Sequence, residues 1–349
     1  MKLIIQIPCY NEEGTLEVTL SSLPREIPGI TEIEWLIVDD GSIDGTVRIA
    51  KAFGVHHIVR FPKNRGLAKA FMAGLEAGLA AGADIIVNLD ADNQYCAADI
   101  PKLVQPIIEG LAEMVIGARP INDIQHFSPW KKMLQKLGSW LVRVASRTSV
   151  IDAPSGFRAF NRNAALRMNV FNEYTYTLET IIQAGRRGII VLSVPIRTNQ
   201  QLRPSRLVKS TLDYVRRSIL TILRIFMTYC PLRFFLFLGV VPFTLGTLLG
   251  LRWILLFWNG RPASHIPSLV LTAILLIFGV QLGVVGLIAD LLAVNRSLLE
   301  DIQFRMRRSQ LLSQQNSNTV WNSNADKPPH SDGHPSAREF PNSTRATAA

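Results

Sequence analysis

The stretch Asn88-Leu89-Asp90-Ala91-Asp92-Asn93-Gln94-Tyr95 is the one around which the rest of the chain is organised. The apolar residues 83–89 predict a short buried strand, and polar turn residues follow it at once. Because side chains alternate along a strand, we expect Asp90 and Asp92 on one side of it. Two acids on one side repel each other unless a cation lies between them, and carboxylates suit Mg²⁺ or Mn²⁺. The stretch predicts a metal-assisted diphosphate site, although a D-x-D that merely caps a strand is the simpler interpretation of this motif alone.

The bulk composition indicates a soluble-type domain joined to membrane segments. The chain has 349 residues, 48% of them hydrophobic, and two long uncharged stretches lie near the C-terminus. The net charge of +10 is concentrated in residues 118–224, where 18 Lys or Arg face 5 Asp or Glu. Such a surplus fits nucleic acid, anionic lipid or phosphorylated substrates, and the neighbouring apolar stretches favour the last two. Nucleic acid is therefore not expected as a partner.

The three cysteines, Cys9, Cys96 and Cys230, have no C-x-x-C spacing. This argues against a disulfide framework and a zinc site, and it fits a reducing compartment. The first residues read directly as a strand, without the pattern of a signal peptide.

Polar clusters follow several predicted strands at the point where a helix begins, which is the pattern of an α/β fold. The predicted strands cover residues 3–8, 34–38, 56–61, 83–89, 114–117 and 189–196. Open parallel sheets bind ligands at the carboxyl ends of their strands, so we expect these clusters to converge. The chain lacks a G-x-G-x-x-G after the first strand and a P-loop, which argues against a dinucleotide fold and an NTPase.

Six motifs occur in an order that resembles family 2 glycosyltransferases. They are Ile7-Pro8-Cys9-Tyr10-Asn11-Glu12-Glu13, Val38-Asp39-Asp40-Gly41-Ser42, Asn64-Arg65-Gly66, Asp90-Ala91-Asp92, Gly117-Ala118-Arg119 and Ser155-Gly156-Phe157-Arg158-Ala159-Phe160. Within that family the chain looks like the polyprenyl-phosphate hexosyltransferases, the group of dolichyl-phosphate mannose synthase and the bacterial undecaprenyl-phosphate glycosyltransferases. The resemblance covers about residues 3–300. It implies a GT-A fold, a Rossmann-like open twisted sheet, and inverting transfer of a sugar from a nucleotide diphosphate sugar.

The resemblance also implies roles for individual residues around the donor. The nucleotide-binding positions would be Pro8, Tyr10, Asn11, Glu12, Asp39, Asp40 and Asp90, joined by Arg203 and Arg206. The metal positions would be Asp90, Asp92 and Gln94, with Mg²⁺ or Mn²⁺ as the cofactor. Arg203 and Arg206 lie in Arg203-Pro204-Ser205-Arg206-Leu207, which resembles the family's R-x-S-K-L with Arg in place of Lys, and it would close over the diphosphate. A plain basic linker beside the membrane is the alternative.

The catalytic positions implied by the resemblance are Asp92, Arg119, Asp152 and Arg158. Arg119 is expected to contact the acceptor phosphate, with Lys131 or Lys132 as weaker candidates. Asp152 is either a catalytic base or a group that orients Arg158 or Arg119, because a lipid phosphate is already ionised and needs no base. Glu179 stays open between a structural acid on a helix and a contact to the sugar.

The C-terminal third predicts a membrane anchor. Residues 130–144 and 209–229 have basic and apolar residues at helical spacing, which is typical of helices in the membrane interface, although 130–144 also fits a packed helix with solvated lysines. Two apolar runs that are each long enough to span a membrane predict a hairpin. Because Lys and Arg flank both runs, we expect the catalytic domain and both termini in the cytoplasm of a bacterial-type inner membrane.

The predicted boundaries are a GT-A domain at 1–208, a juxtamembrane helix at 209–230, transmembrane helices at 231–258 and 266–292, a basic segment at 293–312 and a disordered tail at 313–349.

The leading hypothesis is transfer of a hexose from a UDP- or GDP-sugar to a polyprenyl phosphate. Transfer to a lipid hydroxyl and a non-catalytic membrane scaffold are the alternatives. The sequence leaves open the sugar, the nucleotide base, the lipid and whether the protein forms a homo-oligomer.

Overall fold

The computed structural model describes residues 1–120, 142–143, 146, 148–170, 176–199, 220, 223–224, 227–258 and 266–325, with side chains in the last range given for 266–310 and 313. The chain divides into two compact units, Met1–Arg307 and Arg308–Ala349. The loop with Arg203 and Arg206 lies outside the described residues, as do Lys131 and Lys132. The expected interfacial helix at 209–229 lies largely outside them.

The described elements alternate between strand and helix through most of the first unit. The strands are β1 Lys2–Cys9, β2 Glu32–Asp39, β3 His57–Arg60, β4 Ile85–Asn88, β5 Met114–Ala118, β6 Arg158–Asn161 and β7 Val191–Pro195. The helices are α1 Leu16–Ser21, α2 Thr46–Ala52, α3 Leu67–Ala80, α4 Ile100–Ile108, α5 Arg162–Arg167, α6 Thr177–Arg186, α7 Pro231–Trp258 and α8 Ile266–Ala325.

The seven strands form one sheet in the order β3-β2-β1-β4-β6-β5-β7. Neighbouring strands run parallel except at β6, which pairs antiparallel with both β4 and β5. The central strands read as continuous apolar runs because helices cover both faces of the sheet. Since β1, β2 and β4 are parallel, their carboxyl ends lie at one edge, as the sequence predicted.

The strand β6 corrects one expectation. No strand was predicted between 117 and 189, whereas Arg158 begins a buried strand paired with Asn88 of β4 and Ile116 of β5, and Ser155, Gly156 and Phe157 precede it outside any strand. The run Arg158–Asn161 begins with a charged residue and ends with a polar one, so it lacks a continuous apolar pattern, and its two partner strands supply its hydrogen bonds.

Close approach between α3 and the sheet depends on small residues. A Cβ on Gly74 would lie 2.5 Å from Oε1 of Gln6, and one on Gly78 would lie 2.9 Å from the Ile86 side chain. The two glycines let α3 lie directly on β1 and β4. This contact fixes the position of α3, whose first residues lie beside the site.

The helices α7 and α8 are both long and apolar enough to cross a membrane, by length and composition. They pack antiparallel through glycines, because a Cβ on Gly239 would lie 2.9 Å from the carbonyl oxygen of Gly279, and one on Gly246 would lie 3.1 Å from Leu275. Many of their large apolar side chains are exposed, which is the surface expected of a helix pair that contacts lipid. The helix α8 continues to Ala325, past the predicted start of a disordered tail at 313.

Candidate active site

The loop after β1 and the loop after β2 hold each other in place at the carboxyl edge of the sheet. Asn11 has a left-handed backbone with φ of 55°. Its amide donates to Oγ of Ser42 at 2.9 Å, and its side-chain oxygen accepts from the amide of Ile43 at 3.0 Å. Asn is one of the few residues that adopts this conformation readily, so the motif around it is dictated by backbone geometry as well as by chemistry.

The neighbouring residues of the first motif differ in exposure. Tyr10 is exposed at the edge, whereas Pro8 is buried within β1. Glu12 is buried, its amide donates to Oγ1 of Thr46 at 2.9 Å, and its carboxylate accepts from Oγ1 of Thr15 at 2.8 Å. Tyr10 therefore has its side chain exposed at the edge, where contact with a nucleoside stays a prediction, while Glu12 holds the loop in place.

Asp39 and Asp40 are both buried, and their oxygens accept hydrogen bonds from the protein itself. Asp39 accepts from the amide of Ser42 at 3.0 Å and from Nε of Arg60 at 3.1 Å. Asp40 accepts from the amides of Arg65 and Gly66 at 2.7 and 2.9 Å. Burial raises the pKa of Asp40, and the two amide hydrogen bonds offset part of that rise. In this arrangement the two acids shape the loops of the site, and their direct contact with a nucleotide stays a prediction.

The central D-x-D loop turns sharply after β4. Asn93 has a left-handed φ of 55°, and Asp92 accepts from the amide of Gln94 at 3.1 Å. Burial, and then the negative charge of Asp92, raise the pKa of Asp90 to about 7, while the positive charge of Arg119 acts in the opposite direction. Asp90 and Asp92 follow β4 in a turn, and the charges of Asp92 and Arg119 both act on Asp90, so the side on which the two carboxylates lie stays a prediction.

A segment after β7 holds this loop in place, and no motif in the sequence indicated it. Nδ2 of Asn199 donates to the carbonyl oxygens of Asn93 and Tyr95 at 3.0 and 3.2 Å, and its amide donates to the carbonyl oxygen of Gln94 at 2.9 Å. Arg197 forms a two-pronged pair with the buried Asp99, with the shorter contact at 2.7 Å. The D-x-D loop is thus fixed by residues about a hundred positions later in the chain.

Arg119 and Asp152 form a two-pronged ion pair next to this region. Nε and Nη2 of Arg119 donate to Oδ2 and Oδ1 of Asp152 at 2.7 and 3.0 Å, and the Arg119 amide also donates to Oδ2 at 3.2 Å. Asp152 is fully buried, and Arg119 keeps 10% of its side chain exposed. A carboxylate that accepts both bonds in this way holds the guanidinium in one orientation. Of the two roles considered for Asp152, this geometry fits orientation of Arg119 rather than that of a catalytic base.

Arg158 is not brought to the cleft. Its side chain is fully buried, and it donates to the carbonyl oxygens of Ala153, Ser155 and Thr177, each at 2.7 Å. In this conformation the guanidinium has no exposed surface and all of these hydrogen bonds go to the protein, which is the geometry of a positioning residue, and a catalytic role for Arg158 stays a prediction. Arg158 ties the segment that carries Asp152 to helix α6.

Gly156 lies at the centre of a buried polar network. Its carbonyl oxygen accepts from Nδ2 of Asn88 at 2.9 Å, and its amide donates to the hydroxyl of Tyr95 at 3.0 Å. A Cβ at this position would lie 2.7 Å from Oδ2 of Asp90 and 2.9 Å from the hydroxyl of Tyr176. Only glycine lets the backbone before β6 pass so close to Asp90, which gives a physical reason for the glycine of the motif Ser155-Gly156-Phe157-Arg158.

Comparison with known proteins gives consistent matches. Glycosyl transferase family 2 matches residues 4–175. An undecaprenyl-phosphate mannosyltransferase of Micrococcus luteus is 30% identical over 56% of this chain and 83% of its own length. A UDP-N-acetylglucosamine–dolichyl-phosphate N-acetylglucosaminyltransferase of Methanococcus voltae is 31% identical over 55% of this chain and 83% of its own length.

A solved structure shows the same fold at low sequence identity. Glucosyl-3-phosphoglycerate synthase of Mycobacterium tuberculosis, crystallised with Mn²⁺, uridine diphosphate and phosphoglyceric acid, matches with a TM-score of 0.51 and 20% identity. The match covers 66% of this chain and 78% of that one. The predicted GT-A class is confirmed.

Proposed function

Because this chain belongs to glycosyl transferase family 2, we propose that it moves a hexose, with inversion, from a UDP- or GDP-linked donor to a polyprenyl phosphate at the cytoplasmic face of a membrane. It is a glycosyltransferase by family and fold. The two named relatives have undecaprenyl phosphate and dolichyl phosphate in their names, which supports this class of acceptor.

One observation carries the proposal, namely that the paired acids Asp90 and Asp92 and the fixed cation Arg119 act on the same region. The backbone at 156–157 links them, because a Cβ on Gly156 would lie 2.7 Å from Oδ2 of Asp90 and the carbonyl oxygen of Phe157 accepts from the amide of Gly117, two residues before Arg119, at 2.9 Å. The charges of Asp92 and Arg119 accordingly act in opposite directions on the pKa of Asp90. A site of this kind can bind a cation-bound diphosphate on one side and an anionic acceptor on the other. The reaction needs both at once.

The residues present fit a divalent cation of the Mg²⁺ or Mn²⁺ type. Within the described residues no group of three or more His, Cys, Asp or Glu is arranged to hold a metal. Magnesium-type sites often use one or two carboxylates and take their other ligands from water and substrate phosphates, which is what Asp90 and Asp92 could provide. When bound, the ion would offset the charge that develops on the leaving diphosphate. Gln94, whose amide already caps Asp92, would be a further ligand through its side chain.

The acceptor side is explained without a base. A phosphate monoester is ionised at neutral pH, so its oxygen attacks without losing a proton, and the protein has only to hold it in line. Arg119 would contact that phosphate, and Asp152 would hold the guanidinium in place. Both oxygens of Asp152 accept from Arg119, which makes Asp152 a poor candidate for the base that a lipid hydroxyl acceptor would require.

The proposed orientation follows from the flanking charges. Lys209, Arg216, Arg217, Arg224 and Arg233 precede or begin helix α7, and Arg296, Arg305, Arg307 and Arg308 follow the apolar part of α8. The intervening loop 259–265 has Arg261 alone as a basic residue. Positive charge stays on the cytoplasmic side, so the catalytic domain and both termini would be cytoplasmic, where nucleotide sugars are made.

The test uses membranes that contain the full chain, radiolabelled UDP- and GDP-hexoses, Mn²⁺ and undecaprenyl phosphate. We expect label in an organic-soluble, mild-acid-labile product with the native protein and not with Asp92→Asn. Asp84→Asn is the matched control, because Asp84 precedes the opposite end of β4 and binds the amide of Lys2. Absence of product from every donor, or equal product from unphosphorylated undecaprenol, would overturn the proposal.

A further inference from the structure

A cluster of charged and aromatic side chains joins helix α6 of the catalytic domain to the part of α8 that follows its apolar run. The members of this cluster, which we call the joint, are Glu179, Arg187, Tyr229, Arg296 and Glu300. Nη2 of Arg296 donates to Oε1 of Glu179 at 2.7 Å, and its Nε donates to Oε1 of Glu300 at 3.0 Å. Arg187 donates to the other oxygen of Glu300 at 2.8 Å.

The joint is balanced in charge and its carboxylates are buried, while Arg296 and Arg187 keep 30% and 18% of their side chains exposed. It contains two carboxylates and two guanidinium groups, and Glu179 and Glu300 are both buried. The ring of Tyr229 lies under Arg296 with 5.1 Å between the guanidinium carbon and the ring centre, and its hydroxyl donates to Glu179 at 3.0 Å. Removing one member of such a buried set leaves an uncompensated charge, so the set holds together as a unit.

A second ion pair between the domain and α8 provides a contrast. Glu76 of α3 accepts from Arg307 at 2.8 Å, but its side chain is 56% exposed. Exposed pairs of this kind contribute little because water and salt screen them. Arg307 also donates to the carbonyl oxygen of Met168 at 2.9 Å, and Arg167 lies over the ring of Phe304, so the joint is the buried ionic part of a wider contact between the domain and α8.

The domain side of the joint is rigidly connected to the active site. Helix α6 carries Glu179 and is also bound by Arg158, which donates to the carbonyl oxygen of Thr177 at 2.7 Å and to Oγ1 of Thr180 at 2.5 Å. The same guanidinium binds the carbonyl oxygens of Ala153 and Ser155, directly after Asp152 in the chain. The active-site pair and α6 are therefore held together as one body, and the joint determines where that body lies relative to α8.

We propose that the joint sets the height and tilt of the catalytic domain above the membrane, so that Arg119 meets the phosphate of an acceptor whose lipid chain stays in the bilayer. Glu179 and Arg296 are then positioning residues for the acceptor. The proposal rests on the transfer to a membrane lipid proposed above. It assigns to Glu179 a role that the sequence left open between a structural acid and a sugar contact.

The first experiment compares two acceptors with purified full chain in nanodiscs. We expect Glu179→Gln to lower kcat/KM for undecaprenyl phosphate at least about ten-fold, while kcat/KM for a short water-soluble prenyl phosphate stays within about two-fold. Arg296→Lys keeps the positive charge but loses the planar guanidinium that donates to two carboxylates. Its kcat/KM for undecaprenyl phosphate should lie between those of Glu179→Gln and the native protein. The control Glu76→Gln should match the native protein with both acceptors. An equal loss on both acceptors would overturn the proposal, because it would show that the joint serves only the integrity of the site.

The second experiment does not depend on activity. A donor fluorophore is attached to an azide-bearing amino acid at position 111, an exposed site after α4. Energy transfer from this donor to lipid that carries a second dye reports the distance between position 111 and the membrane surface. We expect one narrow distance distribution for the native protein and for Glu76→Gln, and a broadened or shifted one for Glu179→Gln. An unchanged distribution in Glu179→Gln would overturn the proposal, whether or not any transferase activity has been found.

Discussion

The prediction with the largest expected effect from the smallest change concerns Gly156. Replacing it by alanine adds one methyl group, which would lie 2.7 and 3.0 Å from the two oxygens of Asp90 and 2.9 Å from the hydroxyl of Tyr176. Ordinary contact at a Cβ begins near 3.4 Å, so the closest neighbour must move by about 0.7 Å. The perturbation acts directly on one of the two paired acids.

The structure indicates which neighbour moves. The ring of Tyr176 stacks on Phe71 with 4.0 Å between centres, and its hydroxyl accepts from Asn88 at 2.9 Å. Tyr176 is thus held from two directions, and Asp90 is the group that yields. A displacement of this size in a residue beside the reacting groups corresponds to a loss of about ten- to a hundred-fold in kcat/KM. Overpacking should also lower the free energy of unfolding by about 1–3 kcal/mol.

The assay measures kcat/KM of the full chain in nanodiscs with the donor identified by the labelled panel, together with the thermal midpoint. Gly14→Ala is the matched control, because an added Cβ at Gly14 meets nothing within 4 Å and its backbone is not left-handed. That control should keep native activity. Native kcat/KM in Gly156→Ala would refute the argument that glycine is required for the placement of Asp90.

Three further predictions concern other parts of the molecule. Asp152→Asn should lower kcat/KM about ten- to a hundred-fold by loosening Arg119 while leaving the pH profile of the rate unchanged, whereas a loss of the pH dependence in rate measurements would show that Asp152 is a base. Although burial alone raises the pKa of Asp99, hydrogen bonds from Arg197 lower it to about 2, so its contribution to stability is present above pH 4 and is lost as the pH falls toward 2. Thermal midpoints recorded from pH 6 down to pH 3 in detergent should therefore fall more for the native chain than for Asp99→Asn, and parallel curves would contradict this. Gly279→Leu should separate the two apolar helices, since even a Cβ would lie 2.8 Å from that of Phe243, and a native thermal midpoint for this variant would contradict the close packing.

Much of the fold and part of the site could be predicted from local pattern. Continuous apolar runs located six of the seven strands, and the position of polar residues after them predicted that Asn11, Asp40 and Asp90 would meet at one edge. Such predictions succeed because strand period, turn chemistry and helix starts are properties of neighbouring residues. The order of the six motifs then identified the family.

The antiparallel strand β6 and the burial of Arg158 could not be predicted in this way. Both depend on partners from β4, β5 and α6, which are far from Arg158 in the chain. A single arginine after a glycine looks the same in sequence whether it faces a substrate or the interior. Its four protein acceptors, known only from the folded chain, decide between the two.

The α/β glycosyltransferase domain, the pair of acids after the fourth strand and the two apolar helices could be recognised before folding was considered, since contiguous runs of residues encode each of them. The binding of Asn199 to the loop of those acids, the orientation of Arg119 by Asp152 and the pair of Glu179 with Arg296 of helix α8 are known only from the folded chain. These contacts join residues 33 to 117 positions apart. Local sequence patterns do not predict such pairs. Which groups pair depends on the positions that they reach when the chain has folded and water has been excluded.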